Sequence, residues 1–214
     1  MERACVEDRW RHIWTDSVRV MAAVCVLVCH DAGCAVPRPG RPADHVGKHS
    51  LVELAYRRLE REWVTFRTAK ADPDMTSSKS RSRFARMLDL SVDYDKISRS
   101  GVIPYGHFAA CRAGQVLVAV ADESWNCKAP PPPEVTRLGP DCVQMFEKKL
   151  RRLCRKMVIP FLSRAKKSLE NCLRHRTSVA MSLEAQRCLR KVEVMRRMVT
   201  YQPTSSPAVP GINP

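Results

Sequence analysis

Phe146-Glu-Lys-Lys-Leu-Arg-Arg-Leu-Cys-Arg-Lys156 sets apolar residues three and four apart with cations between them, the spacing of an amphipathic helix. It belongs to a run from Asp141 to Thr200 that holds sixteen Lys/Arg, five Asp/Glu and four cysteines, a charge of +11. The whole chain of 214 residues carries +15, so this run contains most of the excess. Val143, Phe146, Leu150, Leu153 and Met157 form one apolar stripe, bordered by Cys142 and Cys154. Asp141, with Gln144 three residues on, is the expected N-cap. Pro160 is expected to break or kink the helix, because proline lacks the N–H that the ladder needs there. Leu162, Ala165, Leu169, Cys172 and Leu173 then make a second stripe. After Arg174-His-Arg-Thr-Ser178 the phase shifts, and Ser178 is placed to cap a third helix. In it Met181, Ala185, Cys188, Val192, Met195 and Val199 step by four and three, a heptad seam.

Two further helices are expected upstream. Ser50-x-x-Glu53 reads as a capping box, followed at helical spacing by Leu51, Ala55, Leu59, Trp63 and Phe66. Phe84, Met87, Leu88 and Leu90 give a second, weaker pattern. Between them Asp72–Ser80 reads as a loop, and Ser77-Ser-Lys-Ser-Arg-Ser-Arg83 as a short solvated Arg/Ser run. Residues 100–135 change texture. Gln115-Val-Leu-Val-Ala-Val-Ala121, bounded by Gly114 and Asp122, reads as a short strand. Pro130 to Pro133 reads as a polyproline spacer.

The expected fold is therefore mainly α: a bundle of about four amphipathic helices near 50–70, 81–97, 141–159 and 178–200, with a strand/loop insertion. One helical domain would span 50–200, after a flexible linker at 36–49 that contains Pro37-Arg-Pro-Gly-Arg-Pro42, and before a disordered Pro/Ser-rich tail at 201–214.

The cysteines raise the question of compartment. Ten is many for a reducing environment, and six (Cys111, Cys127, Cys142, Cys154, Cys172, Cys188) remain if residues 1–35 are removed. Val20-Met-Ala-Ala-Val-Cys-Val-Leu-Val-Cys29 is too short to span a bilayer but has the length of a signal-peptide core, with Gly33-Cys34-Ala35 as a cleavage site. Its competing reading is a buried strand or core helix. A turn at Pro160–Ser163 would face Cys154 with Cys172, and Cys142 with Cys188, across a helical hairpin. The two pairs differ in register by about one turn, ~6 Å, so only one bridge forms without adjustment. Cys111 with Cys127 would close a third.

Nothing in the sequence signals catalysis. No Gly-rich phosphate loop, G-x-S-x-G elbow or Cys/His dyad with a third group is present, and the six histidines are scattered. No enzyme activity, cofactor or metal is expected. Charge is the informative feature. Lys148, Lys149, Arg151, Arg152, Arg155, Lys156, Arg164, Lys166 and Lys167 are the candidate polyanion-binding residues. The leading expectation is a secreted, cytokine- or hormone-like ligand that binds a cell-surface receptor and is held on acidic glycans by its basic C-terminal helices, with a helix-mediated dimer as a further option. The alternative is an intracellular basic interaction protein of nuclear or viral-accessory type, binding nucleic acid or an acidic protein through 141–200 with its cysteines reduced. Membrane-spanning segments are not expected.

Overall fold

The structure is a computed structural model that describes residues 44–69, 74, 77–175 and 177–200. The leader read at 1–35, the first part of the linker and the tail at 201–214 lie outside the described residues. Within them the protein is mainly helical, as the sequence led us to expect. Six helices follow in order: α1 (Asp44–Thr68), α2 (Ser78–Ser98), α3 (Tyr105–Trp125), α4 (Pro133–Arg137), α5 (Pro140–Arg174) and α6 (Val179–Thr200).

α3 is the element around which the others pack, since it contacts α1, α2, α5 and α6. It contains the Gln115–Ala121 run read as a strand, and no β-strand occurs among the described residues. The correction has a physical reason. Ala109, Ala110, Cys111, Ala113, Val116, Leu117, Val118, Val120 and Ala121 are all buried, so this helix is apolar on nearly every side. A helix buried all round shows no amphipathic period, and its β-branched content then imitates a strand. Burial against four neighbours outweighs the small helix-propensity cost of valine.

The close approach of α3 to α5 depends on Gly114. A Cβ at that position would lie 2.5 Å from Leu169 Cγ and 3.2 Å from the Leu169 backbone nitrogen. Such contacts leave no room for a side chain.

α5 runs unbroken through Pro160, contrary to the expected break. Leu150, Cys154, Val158, Phe161, Leu162, Ala165, Leu169 and Cys172 are buried, one stripe continuing across the proline. Pro160 itself is exposed. The helix loses one internal hydrogen bond there, and the freed carbonyl belongs to the exposed Lys156, where water can satisfy it. The helix starts at Pro140, with Gly139 rather than Asp141 at the cap position; Gly139 has φ 99°, a left-handed conformation that favours glycine.

A continuous α5 rules out the hairpin pairings. Cys154 and Cys172 lie on one helix, ~27 Å apart along its axis. Instead Cys111 pairs with Cys172 (Cα–Cα 4.9 Å) and Cys127 with Cys154 (6.4 Å). Cys111 is near the start of α3 and Cys172 near the end of α5, whereas Cys127 follows α3 and Cys154 is further back in α5. The two helices are therefore antiparallel and cross-linked at both ends of their contact. Cys142 and Cys188, also considered for a bridge, are free and half-buried, and Cys111 does not pair with Cys127.

Other local readings shift by smaller amounts. α1 begins at Asp44, so residues 44–49 are helical rather than linker, and Ser50 lies inside the helix instead of capping it. The Glu53 carboxylate pairs with Arg57 at 2.5 Å. The inward face of α1 is Tyr56, Leu59 and Trp63; Leu51 and Ala55 are exposed. α2 starts within the Arg/Ser run, where the Ser80 N–H donates to Ser77 Oγ at 3.1 Å, a serine N-cap. At α6 the Met181 N–H donates to Ser178 Oγ at 3.3 Å, and Ala185, Val192 and Met195 of the heptad seam are buried.

Candidate polyanion-binding groove

The inward stripe of α5 decides what points outward. With Leu150, Cys154 and Val158 buried, the neighbouring positions Arg151, Arg152, Arg155, Lys156 and Ile159 are turned outward, all exposed. The C-terminal turn of α6 lies alongside. Together they form an open groove of about 970 Å³ in which Lys148, Arg151, Arg152, Arg155 and Lys156 face the single carboxylate of Glu147. Ile159 and, from α6, Met198 and Val199 supply apolar lining. Glu147 pairs with Arg151 at 3.1 Å, an exposed pair that offsets little of the field.

A second hollow of about 750 Å³ adjoins the first and shares Arg155, Met198 and Thr200 with it. Trp125 and Arg197 complete its lining. The Arg155 guanidinium lies over the Trp125 ring, 5.1 Å from its centroid, within cation–π range. These two residues are thirty positions apart in sequence. The Cys127–Cys154 disulfide brings them together, since Cys127 is two residues past Trp125 and Cys154 immediately precedes Arg155. Arg197 stands in the last turn of α6, where a cation also suits the negative end of the helix dipole.

The nine sequence candidates thus divide. Lys148, Arg151, Arg152, Arg155 and Lys156 line the groove. Lys149 does not line it, and Arg164, Lys166 and Lys167 lie two or more turns further along α5, with Lys166 3.7 Å from Glu170. Trp125, Arg197 and Met198, which line the second hollow, are not among the nine. No pattern in the sequence links Trp125 to a basic helix thirty residues later, whereas Arg197 stood inside the +11 run and was legible as charge.

A second charged cluster, centred on Arg112, is part-buried and paired among its own members. Arg112 of α3, with 17% of its side chain exposed, donates to Glu60 of α1 at 2.8 and 3.1 Å, to Glu184 of α6 at 3.3 Å and to Gln115 at 2.6 Å. The Tyr94 hydroxyl donates to Glu60 at 2.9 Å. Burial and the Glu60 charge push Tyr94 and Tyr56 well above the ordinary tyrosine value. For Arg112 burial works against the charged form, but the hydrogen bonds and charge of Glu60 outweigh it and the net shift is upward. Burial and Glu184 raise Cys188, which holds that thiol protonated. His107 and His175 stack at 3.9 Å beside the Cys111–Cys172 bridge; burial and then the His175 charge lower His107. The Arg112–Glu60–Tyr94–Glu184 network joins α1, α2, α3 and α6.

Among the described residues no group of three or more His, Cys, Asp or Glu is placed to hold a metal, and no helix is long and apolar enough to cross a membrane. Comparison with protein-family models, with curated proteins and with solved structures finds no match.

Proposed function

We propose that the protein is a secreted, disulfide-linked helical-bundle ligand of cytokine or hormone type that binds a receptor and uses the α5–α6 groove to hold polyanions. The observation that carries the polyanion part is the groove itself, where five cations of α5 face one carboxylate. Cations at successive turns of a helix, about 6 Å apart, can meet anionic groups repeated along a polymer. Such a field concentrates sulfated or phosphorylated chains at the surface, and the attraction weakens with salt. The two disulfides between α3 and α5 support an oxidising compartment, because bridges of this kind persist outside the reducing cytosol. A signalling ligand needs no catalytic cluster, only presented faces. The exposed Leu51, Leu54 and Val64 of α1 are available for such a contact.

One observation favours the intracellular reading. Cys142 and Cys188 remain thiols, as a protein of a reducing compartment would keep them. Retention on immobilised heparin tests the polyanion part. The wild-type chain elutes at high salt, and the triple variant Lys148→Glu, Arg151→Glu, Arg152→Glu elutes far earlier; equal elution of the two would refute the groove as the site. Mass spectrometry of the protein recovered from expressing cells tests the compartment. A mature N-terminus near residue 36 in the medium supports secretion, and a chain retained in cells with ten alkylatable thiols supports the alternative.

A further inference from the structure

Building on the polyanion groove, we propose that its preferred occupant is an acidic amphipathic segment of a partner protein. Carboxylates of that segment lie on the α5 cations and an apolar side chain enters the hollow beside Trp125. Charge complementarity selects the acidic part, since Lys148, Arg151, Arg152 and Lys156 meet only Glu147 in the groove. The floor selects the rest. Ile159 is 41% exposed and Met198 55% exposed, and the adjoining hollow adds Trp125. A purely polar sulfated chain would leave these surfaces in water. Burying them is favourable by roughly 25 cal/mol per Å² of apolar area, which only an occupant with apolar side chains can use.

The residue types point the same way. Tryptophan, methionine and arginine are enriched at the centres of protein–protein interfaces, and Trp and Arg dominate the residues whose loss weakens binding most. Here Trp125, Arg155, Arg197 and Met198 share one hollow, with lysines further out along α5. Arg155 lies over the indole at 5.1 Å, which restrains the guanidinium and lowers the ordering cost of meeting a carboxylate. The Cys127–Cys154 bridge fixes that pair before any ligand arrives. A nucleic acid could supply phosphates and bases, but the groove offers one aromatic ring whose face Arg155 already covers, a poor stacking platform.

The test uses the full chain with its disulfides intact and two labelled peptides of equal negative charge, titrated by fluorescence anisotropy. In one peptide glutamates alternate with leucine and phenylalanine at helical spacing; in the other those apolar positions are serine and glutamine. The proposal expects the apolar-bearing peptide to bind at least about tenfold tighter. It also expects Met198→Gln, an uncharged change in the lining, to weaken the apolar-bearing peptide several-fold more than it weakens the polar peptide or heparin. Equal binding of the two peptides overturns it, as does an oligothymidylate or heparin fragment that is tighter than both and equally sensitive to Met198→Gln. Those results leave the groove a general polyanion site. Failure of heparin and both peptides alike would remove the polyanion reading as well.

Discussion

The two sides of α3 are held by different chemistry. Toward α5 the contact is covalent and close-packed, with Cys111–Cys172 and Cys127–Cys154 at its ends and Gly114 against Leu169 between them. Toward α1 and α2 no disulfide occurs among the described residues, and ion pairs and aromatic contacts add to apolar packing by Met87, Leu90 and Ile97. Arg83 pairs with Glu123 at 2.8 Å, donates to the Phe66 carbonyl at 2.9 Å and lies over the Phe66 ring. Arg86 pairs with Glu62 at 2.5 Å, and Glu60 accepts from both Tyr94 and Arg112. A disulfide is insensitive to salt and pH, whereas half-buried pairs and buried tyrosines are not. The α3–α5 side should therefore keep its geometry under conditions that loosen α1 and α2. That matters for the groove, because its Trp125–Arg155 pair belongs to the covalent side.

Removing the bridges should break this contrast most severely. In the chain-entropy view, opening the 61-residue separation of Cys111–Cys172 costs ~4 kcal/mol and the 27-residue separation of Cys127–Cys154 somewhat less, ~3.5 kcal/mol. Urea unfolding of the two double-serine variants checks both the size and the order. The smaller loss should nevertheless do the greater harm to ligand binding, since only Cys127–Cys154 pins Trp125 to Arg155.

On the ionic side, Glu60→Gln keeps the shape but removes the charge shared by Arg112 and Tyr94, and should cost about 2 kcal/mol. Because Glu60 joins α1 to α2 and α3, hydrogen exchange should rise first in α1. Loss of protection spread equally over α5 would show that the two sides are not independent. Gly114→Ala sharpens the other half of the comparison. Its methyl group would lie 2.5 Å from Leu169 Cγ, so Leu169 and α5 must shift at a cost of about 1–3 kcal/mol. A neutral result in thermal unfolding would mean that the helices are not as close as described.

These effects also mark what the sequence could and could not convey. α6 was legible because one face is buried and the other wet, which leaves Ala185, Val192 and Met195 at heptad spacing after a serine cap. α3 was illegible for the opposite reason: burial on all sides erases the period. Pro160 misled because a proline's cost depends on whether the carbonyl it strands can reach water, and the exposed face of α5 allows that. A helix broken at Pro160 would allow Cys154 to face Cys172, whereas the continuous α5 directs both to cysteines at the two ends of α3. The basic half of the groove could be read from charge alone. Its aromatic half depends on a disulfide between distant positions, which spacing does not specify.

The smallest expected effect is that of alkaline pH. Tyr56 and Tyr94 have pKa values raised above 10.0, by burial first and then by Glu60. The folded state thus holds these protons more tightly than the unfolded chain does. Their contribution is complete below pH 10 and is lost as pH rises above it. Stability should fall as pH rises above 10, and Tyr94→Phe should flatten that fall. An unchanged slope would place the alkaline sensitivity elsewhere.

Peptide mapping under non-reducing conditions, on protein recovered from expressing cells and alkylated at once, tests the central claim most directly. The account predicts cross-linked peptides joining Cys111 to Cys172 and Cys127 to Cys154, with Cys142 and Cys188 alkylated. Alkylation of all six, or a Cys154–Cys172 linkage, would contradict both the covalent side of α3 and the groove that it holds in place.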